Sequence, residues 1–277
     1  DGSGESISAD LQFNSTALYN QQAPEVVGLK DGSFAVVWQS DTDGTETYDI
    51  IARLFDREGD AITNEIIINE ITLGEQTKPS IATSSSEEIV IAWQTSETGV
   101  NEVLYQTLDF DGRLKSGNKK LSVDDNGDFV GGEDVTLTTS EDGHIVAAWD
   151  DQTGNIYAKN INENTETETN SRLLTVSTAA EGASDRTSIA ALPSGGFVSV
   201  WHEGGGKDGD GQGIFGRIID ENYDRSGEEF LINTLTTSHQ SKAFVASLSD
   251  GTFMVVWSGG DGSSQGQVFS SSAVKIG

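Results

Sequence analysis

The chain has 277 residues, no cysteine and a formal net charge of −29. The lack of cysteine excludes disulfides, thiolate metal sites and thiol catalysis, and the negative charge speaks against nucleic acid or an anionic membrane as the partner. No apolar run approaches the roughly 18 residues that a membrane-spanning helix needs, so no membrane insertion is expected.

Five tryptophans mark an internal repeat, and the chain has no others. They are spaced by 55, 56, 52 and 56 residues, and each ends an apolar run such as 34–38. These runs are apolar at odd and even positions alike, which predicts strands that are covered on both faces. The five residues are Trp38, Trp93, Trp149, Trp201 and Trp257.

Each tryptophan run is the second of four predicted strands in its repeat. The first strands are predicted at 26–29, 80–83, 135–138, 187–192 and 244–248. Third strands are predicted at 50–55, 103–108, 156–160 and 214–219, and fourth strands at 65–69 and 229–233. Tight polar turns join the third strands to the fourth, so each repeat is an antiparallel meander of about 55 residues.

The fifth repeat has only one predicted strand after Trp257, at 267–274. Its missing strand is predicted at the N-terminus, because residues 11–14 (LQFN) echo residues 230–233 (FLIN). Hydrogen bonds between the two chain ends would close a ring without a free sheet edge. We therefore expect an all-β fold in which residues 1–277 form one domain, a five-bladed β-propeller whose last blade is closed by the N-terminal strand.

One rim of this propeller carries the loops between second and third strands and the loops between blades. These are the longest and most varied loops, so ligand binding is expected there. Polar residues that follow the tryptophan runs at this rim are the candidate ligand contacts, namely Gln39, Gln94, Asp150, His202 and Glu203.

Three acidic loop segments at the same rim have the spacing of oxygen ligands. Asp124, Asn126 and Asp128 alternate as at the start of a calcium loop, although the glycine and glutamate that complete an EF-hand are missing. Paired carboxylates on flexible glycine loops suit Ca²⁺ better than a transition metal, and solvated turns are the alternative. The two further pairs are Asp41 with Asp43 and Asp208 with Asp210.

The best copies of the repeat, 24–56 and 191–220, carry the pattern Asp-Gly-Ser-Phe-x-Val-x-Trp or a variant of it. This pattern resembles repeats in very large secreted bacterial proteins of the RTX, hemolysin-type calcium-binding class. The resemblance implies a secreted or cell-surface location within a larger polypeptide, calcium, and a role in adhesion. The tandem glycine-rich nonapeptides of that class are absent from this sequence.

We expect a non-catalytic module that binds a glycan or a cell-surface polymer. The alternatives are a carbohydrate-active enzyme, either a glycoside hydrolase or a polysaccharide lyase, and a structural spacer. A glycosidase needs two carboxyl groups around the bond it cleaves. The predicted first strands offer almost only apolar, Ser and Thr residues, since Glu25 lies at a strand edge and Asp134 and Asp185 lie just before their strands. The carboxyl groups that remain as candidates are at the rim, namely Asp150, Asp151 and Glu203.

Overall fold

The structure is a computed structural model that describes residues 10–15, 18–151, 153–161, 173–177 and 184–277. Its strands form five antiparallel sheets of four strands, and within each sheet the strands lie in chain order. Each sheet is one blade and carries its tryptophan on the second strand. The predicted all-β fold with five four-stranded blades is confirmed. The described residues include no helix that is long and apolar enough to cross a membrane.

The strands have the following bounds. Blade 1 contains β1 (Gln21–Gly28), β2 (Phe34–Asp41), β3 (Tyr48–Phe55) and β4 (Ile66–Ile67); blade 2 contains β5 (Gln76–Thr83), β6 (Glu88–Thr95), β7 (Glu102–Asp109) and β8 (Lys119–Lys120). Blade 3 contains β9 (Glu133–Thr139), β10 (Ile145–Asp150), β11 (Ile156–Ile161) and β12 (Leu174–Ser177). Blade 4 contains β13 (Ser184–Ala191), β14 (Phe197–Glu203), β15 (Gly213–Ile219) and β16 (Arg225–Leu231); blade 5 contains β17 (Ser241–Ser247), β18 (Phe253–Ser258), β19 (Ser264–Phe269) and β20 (Lys275–Ile276).

The first strand of each blade begins earlier than the sequence predicts. In blade 1, Gln21 and Gln22 already pair with β2, and the ladder continues beyond an irregularity from Glu25 onward. The apolar pattern marks only the regular part of each first strand. It therefore does not predict the residue pairs that precede the irregularity. Only 267–269 of the predicted strand 267–274 are strand residues, at the end of β19. Residues 270–274 form a turn in which the Ser270 N–H donates to the Val274 carbonyl, and β20 follows it.

Consecutive blades pack through apolar interfaces of one kind. The tryptophan face of each blade lies against the aliphatic face of the preceding blade, as Trp149 lies against Val90 and Ala92 between blades 2 and 3. The same arrangement joins blades 1 and 2, 3 and 4, and 4 and 5. Removing one of these buried rings would cost about 3–5 kcal/mol.

The expected closure of the last blade by residues 11–14 is wrong. Blade 5 ends with its own fourth strand, β20, which pairs with β19 and occupies the edge that the N-terminal strand would need. Residues 11–14 lie on blade 1 instead, where the Phe13 ring contacts Phe34 and Phe55 and the Phe13 carbonyl accepts a 2.9 Å bond from Arg53 Nη1. Among the described residues, no apolar core joins blade 5 to blade 1. We call this position the seam.

Candidate functional site

The first strand of every blade lies innermost, next to the first strand of the neighbouring blade within the stack. Each of these five strands carries an irregularity in its pairing near its start. There a residue other than glycine has a positive φ, and each such residue lies 15 positions before the tryptophan of its blade. The five bulge residues are Ala23 (φ 48°), Lys78 (53°), Asp134 (47°), Arg186 (55°) and Lys242 (55°).

A positive φ costs a side-chain-bearing residue about 1 kcal/mol or more, and strained residues of this kind cluster at functional sites. Bulges also redirect the side chain of the residue that forms them. Hydrogen bonds between blades hold two of the bulges in place. The Lys78 N–H donates to Gln39 Oε1 at 2.9 Å, and the Asp134 N–H donates to Gln94 Oε1 at 3.5 Å. The strain is therefore supported by the stacking of the blades.

Four of the five bulge residues are charged, and three are cations in a chain with 16 basic and 45 acidic residues. Lys78 Nζ and Asp134 Oδ1 form a 2.7 Å ion pair across blades 2 and 3, and the Lys78 side chain is 41% exposed. Arg186 and Lys242 are exposed. We call the bulge residues, together with Glu25, the channel mouth. It gathers positive charge on an otherwise negative protein.

Glu25 follows the bulge of blade 1 by two residues. Its Oε2 accepts a 3.3 Å hydrogen bond from the hydroxyl of Ser80 on the neighbouring inner strand. Burial among the inner strands raises the pKa of the Glu25 carboxyl, and the hydrogen bonds from Ser80 and Ile81 only partly oppose this. Glu25 as a residue is nevertheless exposed to solvent, like most of β1. Glu25 thus keeps its proton to higher pH than an ordinary glutamate, whereas Asp134 pairs with an ammonium group.

The candidate ligand contacts from the sequence lie mainly between the blades. Gln39 and Gln94 accept the hydrogen bonds from the bulges described above. Asp150 and His202, at the same repeat position, are each 4% exposed, and Glu203 is 0% exposed. Gln39 and Gln94 thus link neighbouring blades, and ligand contact by any of the five residues stays a prediction.

Glu203 belongs to a group of charges between blades 3 and 4, which we call the sealed cluster after the complete burial of Glu203; its cation Lys207 is 35% exposed. Lys207 Nζ lies 2.9 Å from Glu203 Oε2 and 2.6 Å from Glu229 Oε2, and Arg217 Nη2 lies 3.3 Å from Glu229 Oε1. Burial alone would lower the pKa of Lys207, but the two glutamates outweigh it and raise the pKa. Burial alone would raise the pKa of Glu229, but Lys207 and Ser177 outweigh it and lower the pKa. Lys207 and Glu229 thus favour each other's charged form.

The predicted calcium loops use their carboxylates to close their own turns. Asp124 Oδ1 accepts the N–H groups of Asp128 at 2.9 Å and Asn126 at 2.8 Å, and these bonds hold the pKa of Asp124 below its ordinary value. Across the part of the chain that the structure describes, no three His, Cys, Asp or Glu side chains gather as metal ligands. Calcium binding by these loops stays a prediction. Asp41, Asp43 and Asp208 accept main-chain N–H groups of their own loops, and Asp210 accepts the N–H of Ser238 in a different loop.

The remaining carboxyl candidates differ in how far the structure supports them. Asp151 is 8% exposed and accepts the N–H groups of Thr153 and Asn155, so it caps a turn. The side chain of Asp185 lies outside the described residues. A cavity of about 760 Å³ between blades 4 and 5 is lined by turns of the opposite rim, such as 220–222 and 271–273. Because Lys and Arg are missing from its described lining, it does not share the charge of the channel mouth.

Sequence reasoning missed the ring of bulge residues. Their types differ from blade to blade, so no motif identifies them. The signal that could have found them is the constant spacing of 15 residues to each tryptophan, combined with charged residues at the start of an inner strand.

Solved structures of low sequence identity share this fold. The NanB sialidase from Streptococcus pneumoniae matches over 96% of this chain and 61% of its own, with a TM-score of 0.65 and 10% identity. A protein of unknown function from Dyadobacter fermentans matches over 92% and 80%, with a TM-score of 0.64 and 8% identity. The endo-arabinase from Bacteroides thetaiotaomicron matches over 89% and 92%, with a TM-score of 0.51 and 13% identity. No family model and no curated protein matches this chain.

These neighbours change the order of the functional expectations. The sequence favours a non-catalytic binding module and holds a carbohydrate-active enzyme as the alternative. The sialidase and the endo-arabinase are glycan-acting enzymes. The neighbours therefore contradict the expectation of a non-catalytic module and favour its alternative, a carbohydrate-active enzyme. At this low sequence identity, the similarity to these structures shows the fold alone.

Proposed function

We propose that this propeller is a glycan-acting enzyme that hydrolyses a glycosidic bond at the channel mouth. The observation that carries the proposal is the placement of two carboxyl groups in different surroundings on the inner strands. Glu25 has a raised pKa, and Asp134 is paired with Lys78 at 2.7 Å. Acid–base cleavage of a glycoside needs a carboxyl group that holds its proton together with a second carboxyl group.

In this mechanism Glu25 donates its proton to the leaving oxygen. A general acid must still be protonated near the working pH, and the burial that raises the pKa of Glu25 serves that purpose. Asp134 supplies the negative charge on the other side of the reacting carbon, as a base that activates water or as a nucleophile. Lys78 orients this carboxylate through its ion pair.

The cations of the channel mouth favour a glycan that carries acidic groups. A protein with a net charge of −29 repels anions in general, so an acidic glycan needs local positive charge to bind. Arg186 and Lys242 supply it at two neighbouring inner strands. The guanidinium of Arg186 suits a carboxylate in particular, because it donates two parallel hydrogen bonds.

A panel of neutral and acidic polysaccharides and chromogenic glycosides tests this proposal. We expect turnover of acidic substrates by the wild-type chain, and a loss of about 100-fold or more in kcat for Glu25→Gln and Asp134→Asn. Glu58→Gln is the matched control, because Glu58 is exposed on a turn of the opposite rim and should keep full activity. Equal rates in all four proteins, or no turnover of any substrate, would contradict the proposal.

A further inference from the structure

The four interfaces between consecutive blades bury the same two positions on the second strand of blades 1 to 4. These positions face the following blade and are aliphatic. In blade 2 they are Val90 and Ala92, which are 1% and 0% exposed, and in blade 4 they are Val198 and Val200, which are both 0% exposed. The tryptophan face of the next blade covers them.

Blade 5 presents the same positions to solvent. Met254 and Val256 are 38% and 41% exposed, and Phe244 beside them on β17 is 61% exposed. Along β18 buried and exposed residues alternate, whereas β14 is buried throughout. Contiguous apolar residues that are covered in every other blade and exposed in one mark an interaction surface.

The opposite wall of the seam is the tryptophan face of blade 1. Trp38, Val36, Phe34 and Phe55 belong to a separate small core that includes no residue of blade 5. Its cover is the segment 11–14, and a cavity of about 380 Å³ lies between this segment and Trp38. Val26, on the same face, is 65% exposed.

The N-terminal segment lies on blade 1 as the fourth strand of blade 4 lies on blade 5. Phe13 is 4.9 Å and 5.9 Å from two phenylalanine rings of blade 1 that stack at 5.3 Å. Phe230 of β16 is 5.7 Å and 6.5 Å from Phe269 and Phe253 of blade 5, which stack at 5.2 Å. Residues 11–14 thus take the position of the outer strand of a blade that would precede blade 1.

We propose that the seam accepts a sixth blade, made of three antiparallel strands of a further repeat on the same polypeptide, with residues 11–14 as its fourth strand. The exposed faces of blades 5 and 1 determine which faces a sixth blade must present. Blade 5 needs a tryptophan-bearing face against Phe244, Met254 and Val256, and blade 1 needs a small aliphatic face against Trp38. A strand triplet of this repeat has these two faces. The seam then continues the four interfaces that the chain already forms.

Cysteine labelling tests this proposal, because the natural chain has no cysteine. Met254→Cys places a thiol on the exposed face of blade 5, and Val198→Cys places one at the matched position of blade 4. In the 277-residue chain we expect the thiol at position 254 to react at least about tenfold faster than the thiol at 198, which reacts only through local opening. A second protein appends a copy of residues 184–224 (strands β13–β15) after Gly277.

In the extended protein we expect labelling at position 254 to slow to the rate at 198, and the melting temperature to rise. The same extension with Trp201→Asp and Phe197→Asp in the appended copy is the control, which should protect nothing. The proposal is overturned if position 254 is already protected in the unextended monomer, since the ring would then close on itself. The proposal is also overturned if position 254 becomes protected only when the unextended chain dimerises. Equal labelling of position 254 with both extensions overturns it as well.

Discussion

Charged side chains gather in two regions of this propeller, and their surroundings differ. In the sealed cluster, Lys207 bridges two glutamates and lies 4.7 Å above the Phe215 ring, and Glu203 has no exposed surface. At the channel mouth, Lys78 and Asp134 pair in contact with water, and further cations stand on neighbouring inner strands. The cations Lys207 and Lys78 are similarly exposed, at 35% and 41%. The two regions differ because Glu203 is fully buried in the first, whereas Arg186 and Lys242 are exposed in the second.

Removing the cation of the sealed cluster should have the largest effect. Lys207→Met leaves the fully buried Glu203 without its ammonium, and the free energy of unfolding should fall by about 2 kcal/mol, less than for a fully buried pair because Lys207 is 35% exposed. Urea denaturation measures this. Arg113→Met is the control, because Arg113 is 73% exposed and its ion pairs should contribute less than about 1 kcal/mol. Similar losses in both variants would mean that the cluster is not sealed.

Removing a cation from the channel mouth should leave stability almost unchanged and weaken binding. Lys242→Met should raise the KM for an acidic glycan about tenfold, equivalent to about 1.4 kcal/mol, and change the free energy of unfolding by less than about 0.5 kcal/mol. Steady-state kinetics and urea melts of the same preparation measure both. Lys30→Met, on a turn of the opposite rim, should change neither quantity. If Lys242→Met lowered the free energy of unfolding by more than it weakened substrate binding, the role of Lys242 would be to stabilise the fold.

Glutamates in the two regions should respond to pH in opposite directions. The folded pKa of Glu229 is lowered, so its contribution to stability is present above the ordinary value of 4.5 and is lost as the pH falls through the folded pKa. The folded pKa of Glu25 is raised, so its contribution is present below 4.5 and is lost as the pH rises through the folded pKa.

Unfolding free energies of Glu229→Gln and Glu25→Gln between about pH 3.5 and 7 measure this difference. Relative to the wild type, Glu229→Gln should be most destabilised at neutral pH and least in acid. Glu25→Gln should compare best with the wild type at neutral pH. The same pH trend in both variants would refute the contrast between the two regions.

Calcium removal should have the smallest effect. Because the carboxylates of the acidic loops already accept main-chain N–H groups, EDTA should shift the melting temperature by less than about 2 °C. Differential scanning calorimetry with and without added Ca²⁺ measures this. A shift of 5 °C or more, as an order-of-magnitude threshold for a tightly bound ion, would show that the loops rearrange into a metal site.

The five blades were predictable because the five repeats of one sequence can be aligned with one another. Five tryptophans at nearly equal spacing, each ending a run that is apolar on both faces, are explained by sheets stacked against sheets. The role of residues 11–14 was not predictable. Their likeness to residues 230–233 indicates an outer strand, but the sequence does not say which blade they join, since that depends on whether β20 already occupies the edge of blade 5.

The site was harder to predict than the fold, for a physical reason. Gln39, Gln94 and His202 are polar residues after a core run, which is typical of a rim, yet Gln39 and His202 are buried in the stack and Gln94 is half-buried there. Burial by a neighbouring sheet cannot be derived from local pattern. The positive φ values of Lys78 and Asp134 arise from the bulge, and a periodicity of two does not report a bulge.

The most direct test of the central claim, acid catalysis by Glu25 at the channel mouth, is a leaving-group series on one sugar. The kcat/KM of the wild type and Glu25→Gln is compared for an alkyl glycoside, whose leaving oxygen needs a proton, and for a dinitrophenyl glycoside, whose leaving group does not. The account predicts a loss of about 100-fold or more for the alkyl glycoside and less than about tenfold for the dinitrophenyl glycoside. Equal losses on both substrates, or no loss on either, would contradict it.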